Sequence, residues 1–317
     1  MLIKRIRGWE IPERDVTPES VYSRRHLLAA GAGLAAASFV GPAGAQSPDP
    51  SAGLYPAMRN MRYRVDRDIT EERFGSNYNN YYEFGYSKSV AQAAKALPVR
   101  PWQIKIDGMV ESPRTVDIDD LFKAMTFEER VYRMRCVEGW SMVLPWTGFP
   151  MAAFVDWCKP TSGAKYVEMQ TFMNPDVAGN QRSRGYPWPY IEGLTIEEAR
   201  NELAFLVTGI YGHPLPGQHG APLRVMAPWK YGFKAGKSLV RFTFTDKRPK
   251  TFWETMAANE YGFWANVNPK VPHPRWSQAN EEVIGTGGKR VPTQIFNGYG
   301  DFVAGLYTNL QSERLWA

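Results

Sequence analysis

The stretch Arg133-Met134-Arg135-Cys136-Val137-Glu138-Gly139-Trp140-Ser141-Met142 sets a cysteine after two arginines and ahead of a Glu-Gly turn. The chain has only two cysteines, so the role of this one constrains the whole molecule. Residues Glu129 to Arg135 alternate in polarity as a strand does and deliver Cys136 at its end. Strand ends that open into loops are where a rigid sheet displays chemistry. Arg133 and Arg135 nearby would favour the thiolate, the form that binds metal. Four roles stay open for Cys136: metal ligand, nucleophile, packed small hydrophobe, or half of a disulfide.

The second cysteine reads differently. Met151, Phe154, Val155 and Cys158 recur at helical spacing, which puts Cys158 on an apolar face as a packed small hydrophobe. A Cys136–Cys158 disulfide competes with that reading, because exported proteins with an even cysteine count commonly form one. His213, His219 and His273 are scattered in loop-like contexts and supply no conventional zinc set. No G-x-S-x-G turn is present for a serine hydrolase.

Residues 1–45 read as a targeting segment. Arg24-Arg25 precedes an uncharged run from Leu27 to Val40, and Ala43-Gly44-Ala45 offers a cleavage site before Gln46. The run is shorter than the roughly 20 apolar residues that span a bilayer. Paired arginines before a weakly apolar run indicate twin-arginine export, which moves folded proteins and suits those loaded with a cofactor beforehand. The mature chain, Gln46 to Ala317, is long enough for one large single-core domain or two small ones. The leader holds six Lys/Arg and four Asp/Glu, so the formal charge falls from +6 to +4 on its removal. With no long cationic block, nucleic acid is not expected as a partner. No later stretch is long and apolar enough for a membrane span. Aromatic residues make up 14%, with 11 tryptophans, which favours a roofed pocket.

Residues 46–70 lack any period and read as an extended, poorly ordered arm; residues 71–317 read as a single catalytic domain. Within it, Trp102 to Ile106 alternates as a strand and ends at Asp107-Gly108. Asp117 caps a helix through Ile118, Leu121, Phe122 and Met125. Ala164 to Phe172 reads as a strand. Thr195 and Glu198 form a capping box for a helix to about Phe205. Leu223 to Ala227 and Ser238 to Thr245 read as further strands, and the tail after Asn259 as a wrap around the domain. The class is α+β, with mixed sheets and short helices.

Residues 217–238 carry Arg224, Lys230, Lys234 and Lys237 among glycines and aromatics, a composition that suits an anionic, phosphate-bearing cofactor. Gly236-Lys237-Ser238 looks like the end of a nucleotide-binding loop, but that motif needs glycine where Tyr231 stands.

Five segments together resemble one family: Asn79 to Gly85, Tyr132 to Glu138, Pro145 to Pro150, Pro228 to Lys234 and Tyr261 to Asn268. They are similar to the molybdenum-containing catalytic subunits of bacterial periplasmic protein-methionine-sulfoxide reductases, and the likeness runs from about residue 70 to about 312. The resemblance implies a sulfite-oxidase-type molybdopterin-binding fold. It also implies one molybdenum-molybdopterin (Mo-MPT) per chain, with Cys136 the protein's ligand to the metal. It assigns Asn79, Tyr82, Glu83, Thr171, His219, Arg224, Ala235, Gly236 and Lys237 to the pterin and its phosphate. His219 stands where a relative has asparagine, and both side chains can hydrogen-bond. Glu138 borders the metal as a candidate proton relay, provided burial raises its pKa; the alternative is a pair with Arg133 or Arg135. Sulfite oxidases continue after the cysteine with Ala-Gly-Asn-Arg, whereas Val137-Glu138-Gly139-Trp140 suits a neutral sulfoxide better. The implied activity is repair of methionine sulfoxide in oxidised periplasmic proteins, with electrons from a membrane-embedded b-type haem subunit. A sulfite-oxidase-like enzyme acting on a small S- or N-oxide and a disulfide-stapled binding protein are the alternatives.

Overall fold

The computed structural model describes residues 50–316; the expected leader, and residues 46–49 of the arm, lie outside them. Along the described residues the strands are β1 (Gln103–Gly108), β2 (Arg114–Asp117), β3 (Glu128–Arg135), β4 (Trp140–Pro150), β5 (Tyr166–Thr171) and β6 (Ile191–Thr195). They continue as β7 (Phe205–Ile210), β8 (His213–Pro214), β9 (Arg224–Met226), β10 (Leu239–Thr245), β11 (Asn280–Val283) and β12 (Arg290–Pro292). Two mixed sheets result. The first runs β2-β1-β10-β5-β6, with β1 parallel to β10. The second runs β12-β11-β4-β7-β8, with β3 added to β4 and β9 to β7.

Local chemistry explains the short helices. Asp117 accepts the N–H of Asp119 and starts the helix Ile118–Lys123. Thr195 and Glu198 close their capping box, each bonding the other's backbone at 3.1 Å. That helix ends at Arg200, not near Phe205, because Asn201 is extended and Phe205–Ile210 is instead a strand buried at every position. A strand buried on both faces has no alternation to read. The same reason hid β4, whose residues are all buried except Pro150. Helix Met151–Cys158 follows β4 directly and buries Met151, Phe154, Val155 and Cys158. Phe154 packs on Phe242 of β10 with ring centroids 4.5 Å apart, so one short helix couples the two sheets.

Residues 50–70, the described part of the arm, open with a short 3-10 turn at Ala52–Leu54 and are then pinned to the body. Asn60 N–H donates to the Glu129 carbonyl and Glu129 N–H to that of Met58, both at 2.8 Å, laying the arm along β3. Arg67 reaches Glu281 at 3.1 Å. The tail does more than wrap: β11 joins the second sheet parallel to β4, with Glu282 opposite Trp140.

Candidate active site

The antiparallel pair β3–β4 closes at Arg135↔Ser141, and Cys136 begins the turn between them. Gly139 N–H donates to the Cys136 carbonyl at 3.1 Å and Cys136 N–H to that of Trp140 at 2.9 Å. Gly139 has φ +87, the left-handed residue that such a tight hairpin requires. A side chain there meets nothing within 4 Å, so Gly139→Ala would be penalised by backbone strain alone, at about 1–3 kcal/mol. A denaturation curve of the variant measures that loss.

Both cysteines are free and buried, so Cys136 is available as a single thiol and the disulfide alternative falls. The neighbouring arginines do not face it as expected. Arg133 pairs with Asp66, and Arg135, fully buried, pairs with Glu281 at 2.9 Å. Burial pushes the Cys136 thiol up to about 12; Glu138 adds to this, and Lys88 and Arg135 only partly oppose it. Such a thiol is a poor free nucleophile, and a metal that displaces its proton gives it a role. Among the described residues no group of three or more His, Cys, Asp or Glu could hold a metal alone, so a metal here needs ligands from elsewhere.

A cavity of about 520 Å³ opens at Cys136. Asn79, Tyr82, Glu83, Glu138, His219, Arg224, Ala235, Gly236 and Lys237 all line it, although they come from four separate segments. Thr171 does not line it; its hydroxyl donates to Glu83 at 3.2 Å from behind. Lys230 and Lys234, grouped by sequence with the phosphate cations, turn away into buried ion pairs with Glu198 (2.5 Å) and Glu192 (2.6 Å). They fasten the loop 228–237 to the body, and only Arg224 and Lys237 are left for an anion.

The wall chemistry fits a phosphate-bearing pterin. Asn79 Oδ1, His219 Nε2 and Arg224 Nε are buried with no hydrogen-bond partner, a cost normally met by a ligand or water. Arg224 is nonetheless placed: it donates to the His219 carbonyl at 3.0 Å and lies 4.9 Å from the Trp146 ring centroid. Burial lowers the Arg224 pKa to about 10 and draws that of Lys237 down, while burial draws that of Glu83 up. A bound anion beside the two cations would oppose both downward shifts and favour their charged forms.

Burial, then the charges of Arg224 and Lys237, push the His219 imidazole down to about 3 from its ordinary 6.5. The unfolded chain therefore takes up a proton that the folded one refuses, and cofactor-free protein should lose stability as pH falls from about 6.5 towards 3. In His219→Asn, thermal melts across that range should show a flatter decline.

Glu138 is neither paired with Arg133 or Arg135 nor raised in pKa. Burial alone would push its carboxyl up, but hydrogen bonds from Lys88, Trp140 and Asn80 outweigh it and leave it below the ordinary value. Those contacts are 2.5, 2.8 and 3.2 Å. Asn80 also points its amide at Cys136 Sγ, 3.6 Å away. Asn80, Lys88, Trp146, Trp276 and Gln278 were not anticipated as site residues. Asn80 and Trp146 carried a signal, as members of the quoted segments Asn79 to Gly85 and Pro145 to Pro150; the others carried none.

Residues 91–253 match the family described as the oxidoreductase molybdopterin binding domain. The fold is thus that of a molybdopterin-binding oxidoreductase. The protein-methionine-sulfoxide reductase catalytic subunit MsrP of Burkholderia mallei is 45% identical over 329 residues, covering 99% of each chain. That of Xanthomonas campestris is 45% identical over 311 residues, covering 96% of this chain and 97% of the relative. The chain belongs to the family of protein-methionine-sulfoxide reductase catalytic subunits. A solved structure, the sulfane dehydrogenase SoxCD from Paracoccus pantotrophus, is similar at a TM-score of 0.45 and 14% identity, covering 79% of this chain and 68% of that one.

Proposed function

We propose that this protein reduces methionine sulfoxide residues in oxidised periplasmic proteins to methionine. The observation that carries the reading is the cavity at Cys136: one buried thiol and a wall of unpaired Asn79, His219 and Arg224 atoms. Cys136 holds the metal, one Mo-MPT per chain. Arg224, Lys237 and the backbone of Ala235-Gly236 hold the phosphate. Asn79, Tyr82, Glu83 and His219 hold the pterin, with Thr171 fixing Glu83.

The bound cofactor supplies two-electron oxygen-atom transfer, so that a sulfoxide, two electrons and two protons give a thioether and water. The chain supplies the surroundings. Lys88 is neutralised by Glu138, and Arg275 by Glu260 at 2.8 Å, so neither offers a free charge to a sulfite dianion. Tyr78, Trp140, Trp253 and Trp276 give apolar walls for a thioether and exclude water from the reacting sulfur. Glu138 is a positioning residue that holds Asn80 and Lys88 above the thiol. Glu138→Gln should weaken that hold and lower turnover with molybdenum retained and the pH–rate profile unchanged. A shifted profile would return Glu138 to proton relay.

The N-terminal segment is a twin-arginine signal, and the enzyme works in the periplasm with a membrane-embedded b-type haem subunit as electron donor. No helix among the described residues is long and apolar enough to cross a membrane. The deciding experiment measures molybdenum content and activity on an oxidised protein, dimethyl sulfoxide and sulfite. Molybdenum near one per chain, with the highest kcat/KM on the oxidised protein, is expected. Preference for sulfite or a small oxide would overturn the substrate, and absence of molybdenum the whole reading.

A further inference from the structure

The turn that carries Cys136 is held from behind by residues beyond the matched domain, which ends at 253. The Val137 carbonyl accepts two hydrogen bonds, from Trp276 Nε1 and Gln278 Nε2, both at 2.7 Å. Gln278 is buried, and its amide direction is not free. Its Oε1 accepts from Arg135 Nη2 at 2.7 Å. A guanidinium has only donors, so the Gln278 NH₂ must face Val137. Arg135 also donates to the Cys136 carbonyl, and Glu281 balances its charge. Thr293 donates to the same Glu281 oxygen at 3.0 Å, and Arg67 of the arm reaches the other at 3.1 Å. The carbonyls of Cys136 and Val137 are therefore both engaged, and the two successive peptides that lead out of Cys136, Cys136–Val137 and Val137–Glu138, are held in place. Residues around a metal ligand that fix it in this way commonly matter almost as much as the ligand.

We propose that Gln278 and Trp276 are positioning residues for the metal-binding thiolate. They fix the Val137–Glu138 peptide, one residue beyond Cys136, while Arg135 holds the Cys136 carbonyl itself, so that N–H dipoles and one positive charge lie against the ligand's turn. The inference rests on Cys136 as the metal ligand. Donors aimed at the ligand's turn favour the metal state with more electrons, so their removal should lower the reduction potential. Trp276 also belongs to the cavity wall, where its ring stacks on His273 with centroids 3.7 Å apart. Its N–H faces the turn while its ring faces the cavity side.

Two variants of the full-length holoenzyme test this. Trp276→Phe keeps an aromatic ring and removes only the N–H. Gln278→Glu keeps an acceptor for Arg135 and sets a carboxylate oxygen against the Val137 carbonyl. Molybdenum content, steady-state kinetics and an EPR-monitored redox titration of the metal are measured for each. Both should load molybdenum and titrate at lower potential than the parent, Gln278→Glu by more, with its kcat down roughly 10–100-fold and KM little changed. Parental potentials in the loaded variants would overturn the proposal. Should Gln278→Glu fail to fold or load, Trp276→Phe decides alone. Cys136→Ser, measured in parallel, separates the premise: retained molybdenum there sinks the ligand assignment itself, whereas its loss beside parental potentials sinks only the positioning role.

Discussion

Cys136→Ser should lose all sulfoxide reduction and nearly all molybdenum, while Cys158→Ala keeps most of both. The two residues are equally free of disulfide and both buried, yet only Cys136 reaches the cavity. Its thiol is pushed up to about 12, so it is protonated at neutral pH until a metal displaces the proton. A serine hydroxyl gives up its proton far less readily and is a harder, poorer ligand for molybdenum than thiolate sulfur. Cys158 is fully buried on the helix Met151–Cys158, where loss of its sulfur leaves a small cavity at a cost of about 1–2 kcal/mol. Metal analysis and turnover of both variants check the contrast. A fully active Cys136→Ser enzyme would remove the metal from this residue.

Arg224→Ala and Lys237→Ala should each lower cofactor occupancy, with turnover per loaded site much less affected. Charge-assisted hydrogen bonds are worth about 1.5–3 kcal/mol, or roughly 10–100-fold in affinity per contact. The larger effect belongs to Arg224. Its side chain is buried, it has an unpartnered Nε, and it is pre-oriented by the His219 carbonyl and the Trp146 ring. Lys237 is only half-buried but has no carboxylate within ion-pair distance, unlike Lys230 and Lys234, so its charge is available to a ligand. Molybdenum per chain, compared with kcat per molybdenum, separates loss of binding from loss of chemistry. Parental molybdenum content in both variants would count against the cradle.

Much of the candidate site was legible because the chemistry is local in sequence. The alternation before Cys136 predicted β3, and the turn that follows needs a residue like Gly139. The capping box at Thr195 and Glu198 and the helical face through Cys158 were also readable, since each depends on spacings of three or four residues. Where residues are buried on every side the pattern vanishes: β4 and β7 carry no alternation, so neither reads as a strand, and the helix expected to reach about Phe205 ends at Arg200.

Sequence alone determined the residue types that could bind a metal and an anion, and how they cluster along the chain. It could not sort four cations in one loop into two that face the cavity and two that disappear into ion pairs, because that depends on where Glu192 and Glu198 lie. Nor could it show that Arg135 turns away from its neighbour's sulfur to clasp that neighbour's carbonyl, or that Glu138 finds Lys88 rather than Arg133 or Arg135. Those choices fall to the tertiary structure. A buried charge must meet its opposite, a buried carbonyl must meet a donor, and the partners that satisfy Arg135 and Val137 lie about 140 residues further along the chain.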